Sequence, residues 1–337
     1  ALKSKYNIRV INLSLGRPVM ESYTLDPLCQ AVERAWKAGI VVVVAAGNFG
    51  RDNSQSTAGY ATITSPGNDP YVITVGAMKN LGTLSRMDDQ IASYSSKGPT
   101  LIDHIVKPDL VAPGNRIIGV STKGASFLEK SYPGNRMGAA YFRMSGTSMA
   151  TPVVSGAVAL LLQKDPGLTP DQVKARLMKS ATKTFPAYST ATDSATGEVF
   201  TSQYDIFTVG AGYLDIGAAL NASERASGLA TSPKASFDES SGTVGLLCDA
   251  AAVWGGGAVW GSGAVWGSCS ASALWGAGAV WGSSVFVNGS GAVWGSGAVW
   301  GSQTARGFGA VWGSGAVWGS GHQPRSEGVN ILINGEN

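Results

Sequence analysis

Residues 40–46, Ile-Val-Val-Val-Val-Ala-Ala, are an unbroken run of β-branched and small apolar side chains of strand length. No polar residue alternates with them, so the strand has no face to offer water. A strand covered on both faces belongs inside a parallel sheet packed by helices. This run therefore directs the chain toward an α/β architecture. The residues before it agree. Residues 8–16 read as a strand, and Asp26-Pro27 reads as a helix N-cap with Pro in the first helical position. Leu28, Ala31, Val32, Ala35 and Trp36 recur at helical spacing, and Gly39 closes the helix. Strand, helix and buried strand make a βαβ unit, which crosses over right-handed.

Further strands are expected at residues 71–77, 91–94 and 117–120, with turns at Pro66-Gly67 and Pro113-Gly114. Residues 153–162 form a long run that is apolar on nearly every helical face, so the helix should be buried in the middle of a domain. A capping box at Thr169-Pro170-Asp171-Gln172 opens another helix, with Val173, Leu177, Met178 and Ala181 on its apolar face. Residues 210–215 read as a closing strand and 218–220 as the last helix. The expected fold is a doubly wound α/β domain over residues 1–230.

The central helix begins at Ser145-Gly146-Thr147-Ser148-Met149-Ala150-Thr151-Pro152. A hydroxyl at the mouth of a buried helix faces its free N–H groups and the positive end of its dipole. Such a place suits a developing oxyanion. A helix start capped by Thr147 or Ser148 has the same local pattern, so other motifs must decide. Ala45-Ala46-Gly47-Asn48 lies at the carboxyl end of a buried parallel strand, where α/β sheets place their sites. An Asn there is by itself an ordinary turn residue. Beside the serine motif it becomes a second oxyanion donor, after the Ser148 N–H.

The net charge of +3, with no Lys/Arg cluster, argues against a nucleic-acid partner. No apolar run reaches the ~20 residues of a membrane span. Cys29 falls on an amphipathic helix as a small buried apolar residue, while Cys248 and Cys269 can pair only in an oxidising setting. Residues 231–250 are Ser-rich and polar and read as a linker. Over 251–320 the unit Gly-Ala-Val-Trp-Gly-Ser recurs and holds nine of the ten tryptophans. Trp spacings are often six residues, which in an extended chain places the rings on one face. Such a region stacks as a β-solenoid or stays without a unique fold. Its glycine content favours the second, since glycine removes both packing and backbone bias. Residues 321–337 read as a polar tail.

The serine motif, Ala45-Ala46-Gly47-Asn48, residues 10–16, Ser95-Ser96-Lys97-Gly98-Pro99 and Lys107-Pro108-Asp109-Leu110-Val111-Ala112-Pro113-Gly114 together resemble the subtilisin-like serine peptidases, or subtilases, over residues 6–220. The resemblance implies Ser148 as nucleophile and Asn48 as side-chain oxyanion donor. It implies Ser14, Leu15 and Gly16 as the edge that pairs with an extended polypeptide substrate. Ala45, Ala46 and Gly47 would form a wall of the pocket before the scissile bond, with room for large apolar side chains. Gly146 and Thr147 would complete the substrate-binding loop. No cofactor is implied for the chemistry. The family often carries structural Ca2+, but no ligand loop for it is readable here. An extracellular location is likewise implied only by the family.

A subtilase also needs an Asp in an Asp-Thr/Ser-Gly strand end and a His in a His-Gly-Thr-His helix start, both before the Asn and Ser. Neither motif occurs, and the only histidines are His104 and His322. Asp103 adjoins His104, but neighbouring loop residues rarely meet head to tail. The expectation is a carboxyl-terminal part of a subtilase, inactive alone, whose Asp and His come from a missing N-terminal segment. Without that segment the strand at residues 8–13 becomes an exposed apolar edge. Two other readings remain: a non-catalytic or split-partner chain, and a surface- or carbohydrate-binding module working through the Trp repeats.

Overall fold

A computed structural model describes residues 2–54, 57–194, 196–238, 243–247 and 331–336. The elements run α1 (Leu2–Tyr6), β1 (Val10–Leu13), α2 (Pro27–Lys37), β2 (Val41–Ala45), β3 (Ile73–Lys79), β4 (Gln90–Ile91), β5 (Leu110–Pro113) and β6 (Ile117–Val120). They continue with α3 (Phe127–Ser131), β7 (Arg136–Met137), β8 (Tyr141–Met144), α4 (Thr147–Lys164), α5 (Pro170–Ser180), β9 (Tyr188–Thr192), β10 (Val199–Gln203) and α6 (Ile216–Asn221). The pair β11 (Lys234–Asp238) and β12 (Thr243–Leu247) follows.

The main sheet is mixed, not purely parallel. β1, β2, β3 and β5 pair parallel in that order, and β4 adds an antiparallel pairing at the end of β3. β2 is buried along its whole length, as its unbroken apolar run demands. β5 is a buried strand, paired with β3, that the expected elements omit. Its Pro113-Gly114 resembles a turn, but Leu110 to Ala112 are fully buried against β3. Among the described residues β1 pairs only with β2, so it is an edge strand.

Local signals set the helix starts. The Asp26 carboxylate accepts from the Leu28 N–H at 2.8 Å, ahead of Pro27. Thr169 and Gln172 close a reciprocal capping box at α5. α4 packs across β1, β2, β3 and β5, but it is not buried on nearly every face. Ala150, Val154, Ala157, Val158, Leu161 and Leu162 form one buried stripe. Pro152, Gly156, Ala159 and Leu160 lie exposed, with Leu160 43% accessible. Apolar composition therefore exceeds what the described residues cover.

Residues 210–215 do not form the expected closing strand. Tyr213 makes isolated bridges to Val111 and Thr182, while α6 follows under an Asp215 cap. The expected linker also differs. β11 and β12 pair as an antiparallel hairpin, and Ala235, Val244 and Leu246 enter the main core. A buried ion cluster secures the same region. The Asp109 carboxylate meets Lys107 Nζ at 2.7 Å and Lys174 Nζ at 3.1 Å, and it accepts from Ser232 Oγ at 2.5 Å. Such a cluster ties β5, α5 and the approach to β11 together, because both lysines and Ser232 share the one Asp109 carboxylate. From the expected polar tail, residues 331–336 pack on the body, with Ile331 and Ile333 buried. The Trp repeats of 251–320, Cys248, Cys269 and His322 lie outside the described residues.

Candidate active site

Ser148 stands in the first turn of α4, and its surroundings follow from two backbone constraints. Gly146 precedes the helix at φ +141, a conformation that side chains rarely adopt. A Cβ there would meet the Asn48 amide only at an ordinary contact distance of 3.5 Å, so the backbone angle is what calls for glycine. Pro152 lies four residues beyond Ser148 and has no N–H to give its carbonyl. The Ser14 hydroxyl fills that vacancy, donating to the Ser148 carbonyl at 2.7 Å. The Ser148 hydroxyl in turn donates to the Ser14 carbonyl at 3.3 Å. Thus the end of β1 is laced to the nucleophile candidate.

Asn48 reaches the same helix from the end of β2. Its Oδ1 accepts from the Thr147 N–H at 2.9 Å and lies 3.1 Å from Thr147 Oγ1. No side chain of the Gly146 cap position performs this service, so Asn48 is a cap supplied from a distant strand. The N–H donor fixes which amide atom is oxygen. Among the described residues neither Asn48 Nδ2 nor the Ser148 N–H has a protein acceptor. Two unspent donors at a helix N-terminus can stabilise an oxyanion. Gly47 sits at φ +110, where a Cβ would collide with Thr64 and Ser96 at 2.8 Å. Its N–H donates to Thr147 Oγ1 at 3.2 Å, so β2 and α4 are joined twice.

The residues expected to bind substrate fall into two groups. Ser14, Leu15 and Gly16 are exposed and follow directly on the end of β1. Ala45, Ala46, Gly146 and Thr147 are buried, and Gly47 is half-buried. The Ala46 carbonyl accepts from the Thr64 N–H at 3.0 Å and from Thr64 Oγ1 at 3.3 Å. Along the chain Thr64 carries no signal, and Ser96 appears only inside the Ser95-Ser96-Lys97-Gly98-Pro99 motif, without a role of its own. Thr64 packs beneath both Gly16 and Gly47, and the Ser96 hydroxyl accepts from the Phe49 N–H at 3.0 Å. Two glycines in facing edges were the available signal, since each needs a neighbour close enough to exclude a side chain.

Asp103 and His104 are not part of this arrangement. The Asp103 carboxylate accepts from Ser22 Oγ at 2.7 Å and from the Tyr23 N–H at 2.9 Å. His104 adopts φ +54, and its carbonyl accepts from the Ala235 N–H at 2.7 Å. Burial and then the Lys234 charge hold its imidazole below the ordinary value. Among the described residues no histidine or carboxylate lies within hydrogen-bond reach of Ser148 Oγ. Likewise, no group of three or more His, Cys, Asp or Glu among them converges as metal ligands.

The Subtilase family model matches residues 2–202. Serine protease AprX of Bacillus subtilis (strain 168) is 48% identical over 177 residues, covering 52% of this chain and 38% of that protein. Subtilisin DY of Bacillus licheniformis is 39% identical over 173 residues, covering 51% of this chain and 49% of that protein. The chain therefore spans at most about half the length of these two relatives. Among solved structures, the prenylagaramide maturation protease PagA aligns with a TM-score of 0.44 and 26% identity, over 65% of this chain and 63% of that one.

Proposed function

Because the chain belongs to the subtilase family, we propose that it carries the acyl-binding half of a serine endopeptidase site. Ser148 is the nucleophile, and its N–H and Asn48 Nδ2 are the oxyanion donors. Ser14, Leu15 and Gly16 receive an extended polypeptide substrate by main-chain pairing. The observation that carries the reading is the bond from the Thr147 N–H to Asn48 Oδ1. It spends the amide oxygen on the helix and leaves the amide N–H groups for an oxyanion. The setting is extracellular on the family resemblance, and no described helix is long and apolar enough to cross a membrane.

The proton acceptor is the second part of the proposal. A serine hydroxyl needs a base to become a nucleophile, and the Ser148 proton rests on a backbone carbonyl. We assign the base to a separate segment bearing the Asp-Thr/Ser-Gly and His-Gly-Thr-His motifs. The edge position of β1 and the exposed apolar face of α4 are where such a segment would pack. The test is labelling by a fluorophosphonate, with and without a polypeptide carrying both motifs. The expected result is negligible labelling of the chain alone and stoichiometric labelling of Ser148 in the mixture. Rapid labelling alone, abolished by Ser148→Ala, would overturn the assignment of the base. Failure to label in a mixture shown to associate would overturn Ser148 as nucleophile.

A further inference from the structure

A second piece of chain reaches the flank of this site. Residues 331–334 form one helical turn, which Gly335 closes at φ +74 by donating its N–H to the Ile331 carbonyl at 2.7 Å. The body then reads the segment almost atom by atom. The Leu332 carbonyl accepts from the Ser145 N–H at 2.7 Å, and the Ile333 carbonyl accepts from Asn135 Nδ2. The Asn334 carbonyl accepts from Arg116 Nε at 3.2 Å. Glu336 exchanges two bonds with the Asn115 amide, at 2.9 and 3.0 Å.

The side chain of Glu336 anchors the end of the segment. It is 4% exposed. Its carboxylate accepts from the Ser93 N–H at 3.0 Å, from Ser93 Oγ and from Arg51 Nη2 at 2.9 Å, with Lys79 Nζ at 3.6 Å. A carboxylate removed from water needs such compensation, and a bidentate or charge-assisted set of donors supplies it. Leu332 occupies the other end. Its Cδ2 and Asn48 Nδ2 lie 3.4 and 3.5 Å from one point, the place a Cβ on Gly146 would take. The Leu332 side chain thus borders the same Gly146 position as the Asn48 amide.

We propose that Arg51, Lys79 and Ser93 form a carboxylate-reading subsite for acidic peptides, with Asn115 holding the peptide main chain beside it, and that residues 331–336 are its intramolecular ligand, placing Leu332 over the approach to Asn48. The inference deepens the proposed function by adding regulation of the same site. With Ser14, Leu15 and Gly16 holding the acyl part of a substrate, the segment occupies the leaving-group part. A substrate has to displace it there. A peptide with an acidic residue four positions after an apolar one competes best.

The test uses the full chain and a fluorescein-labelled peptide of residues 330–337, read by anisotropy. Gly335→Val is the opening variant. A side chain at that position would lie within 2.6 Å of Ser145 Oγ and 2.7 Å of Arg116 Cγ, while the subsite residues stay unchanged. The expected result is at least tenfold tighter peptide binding by Gly335→Val than by the parent, whose own segment competes. A peptide with Gln in place of Glu binds the variant at least tenfold more weakly. Equal binding by parent and variant, or by the two peptides, overturns the proposal. Should Gly335→Val not fold, hydrogen exchange on the parent decides. Slow exchange at the Ser145 amide and across 331–336 supports docking, and unprotected exchange at both overturns it. Neither readout requires Ser148 to react, so this proposal and the proposed function fail independently.

Discussion

The Ser14 hydroxyl donates to the backbone carbonyl of Ser148 at 2.7 Å, taking the place of an N–H that Pro152 cannot supply. The end of β1 and the first turn of α4 are thereby held in one register. A hydrogen bond of this kind contributes on the order of 1 kcal/mol. Ser14→Ala should lower stability by about that amount in the parent. In a Pro152→Ala background the restored N–H can satisfy the same carbonyl, so the cost should fall toward zero. A double-mutant cycle by urea unfolding measures the difference. Equal costs in both backgrounds would show that the two groups do not share this acceptor.

Asn48 has two separable duties. Its Oδ1 caps α4 through the Thr147 N–H, and its Nδ2 is the proposed oxyanion donor. Asn48→Asp keeps an acceptor and adds negative charge at a helix N-terminus, which is favourable there. Its melting temperature at pH 7 should not fall below the parent's. Asn48→Ala should lose about 1 kcal/mol, as other caps do. Both variants lose the amide donor. If Asn48→Asp is as unstable as Asn48→Ala, the capping role is wrong.

Asp69 is fully buried, and the Tyr71 N–H donates to its Oδ1 at 2.9 Å. Burial pushes its carboxyl up to about 6 from an ordinary value of 3.8. A raised folded-state value means the group favours folding below about 3.8, and this is lost as pH rises through about 6. At pH 7 the buried charge therefore opposes folding. Asp69→Asn should stabilise the chain there by about 1–3 kcal/mol, with the gain vanishing below pH 4. Thermal unfolding at pH 3.5 and 7 checks both halves; a gain of the same size at both values would remove the carboxyl as its cause.

Asp109 is the one carboxylate paired with two fully buried lysines, Lys107 and Lys174. Burial pulls Lys174 down to about 7. Removing only the carboxylate by Asp109→Ala leaves buried positive charge with no anion beside it. The expected loss is about 3–5 kcal/mol, enough to abolish a soluble folded chain. A urea midpoint close to the parent's would show that the cluster contributes little to the fold.

Much of this was readable along the chain. The Asp26 and Thr169 caps, the buried β2, the start of α4 and the subtilase motifs are relations between residues one to four positions apart. Propensity, capping and hydrophobic period act over that range. β5 was hidden because Pro113-Gly114 carries a turn signal that only burial against β3 overrides. The β11–β12 hairpin was hidden because Ser-rich, polar residues mask the few that enter the core. Periodicity over 153–162 identified a helix but not how much of it would be covered, since coverage depends on what packs there.

The sequence by itself determined the α/β class and the serine at a helix mouth. Tertiary structure decided how those parts act together. It brought Ser14 to Ser148, gave Asn48 the task of capping a helix 99 residues away, and seated Glu336 among Arg51, Lys79 and Ser93. These contacts join segments far apart in the chain, so each depends on the backbone path between them. No local pattern encodes that path; the closing of the sheet and the burial of its charges do.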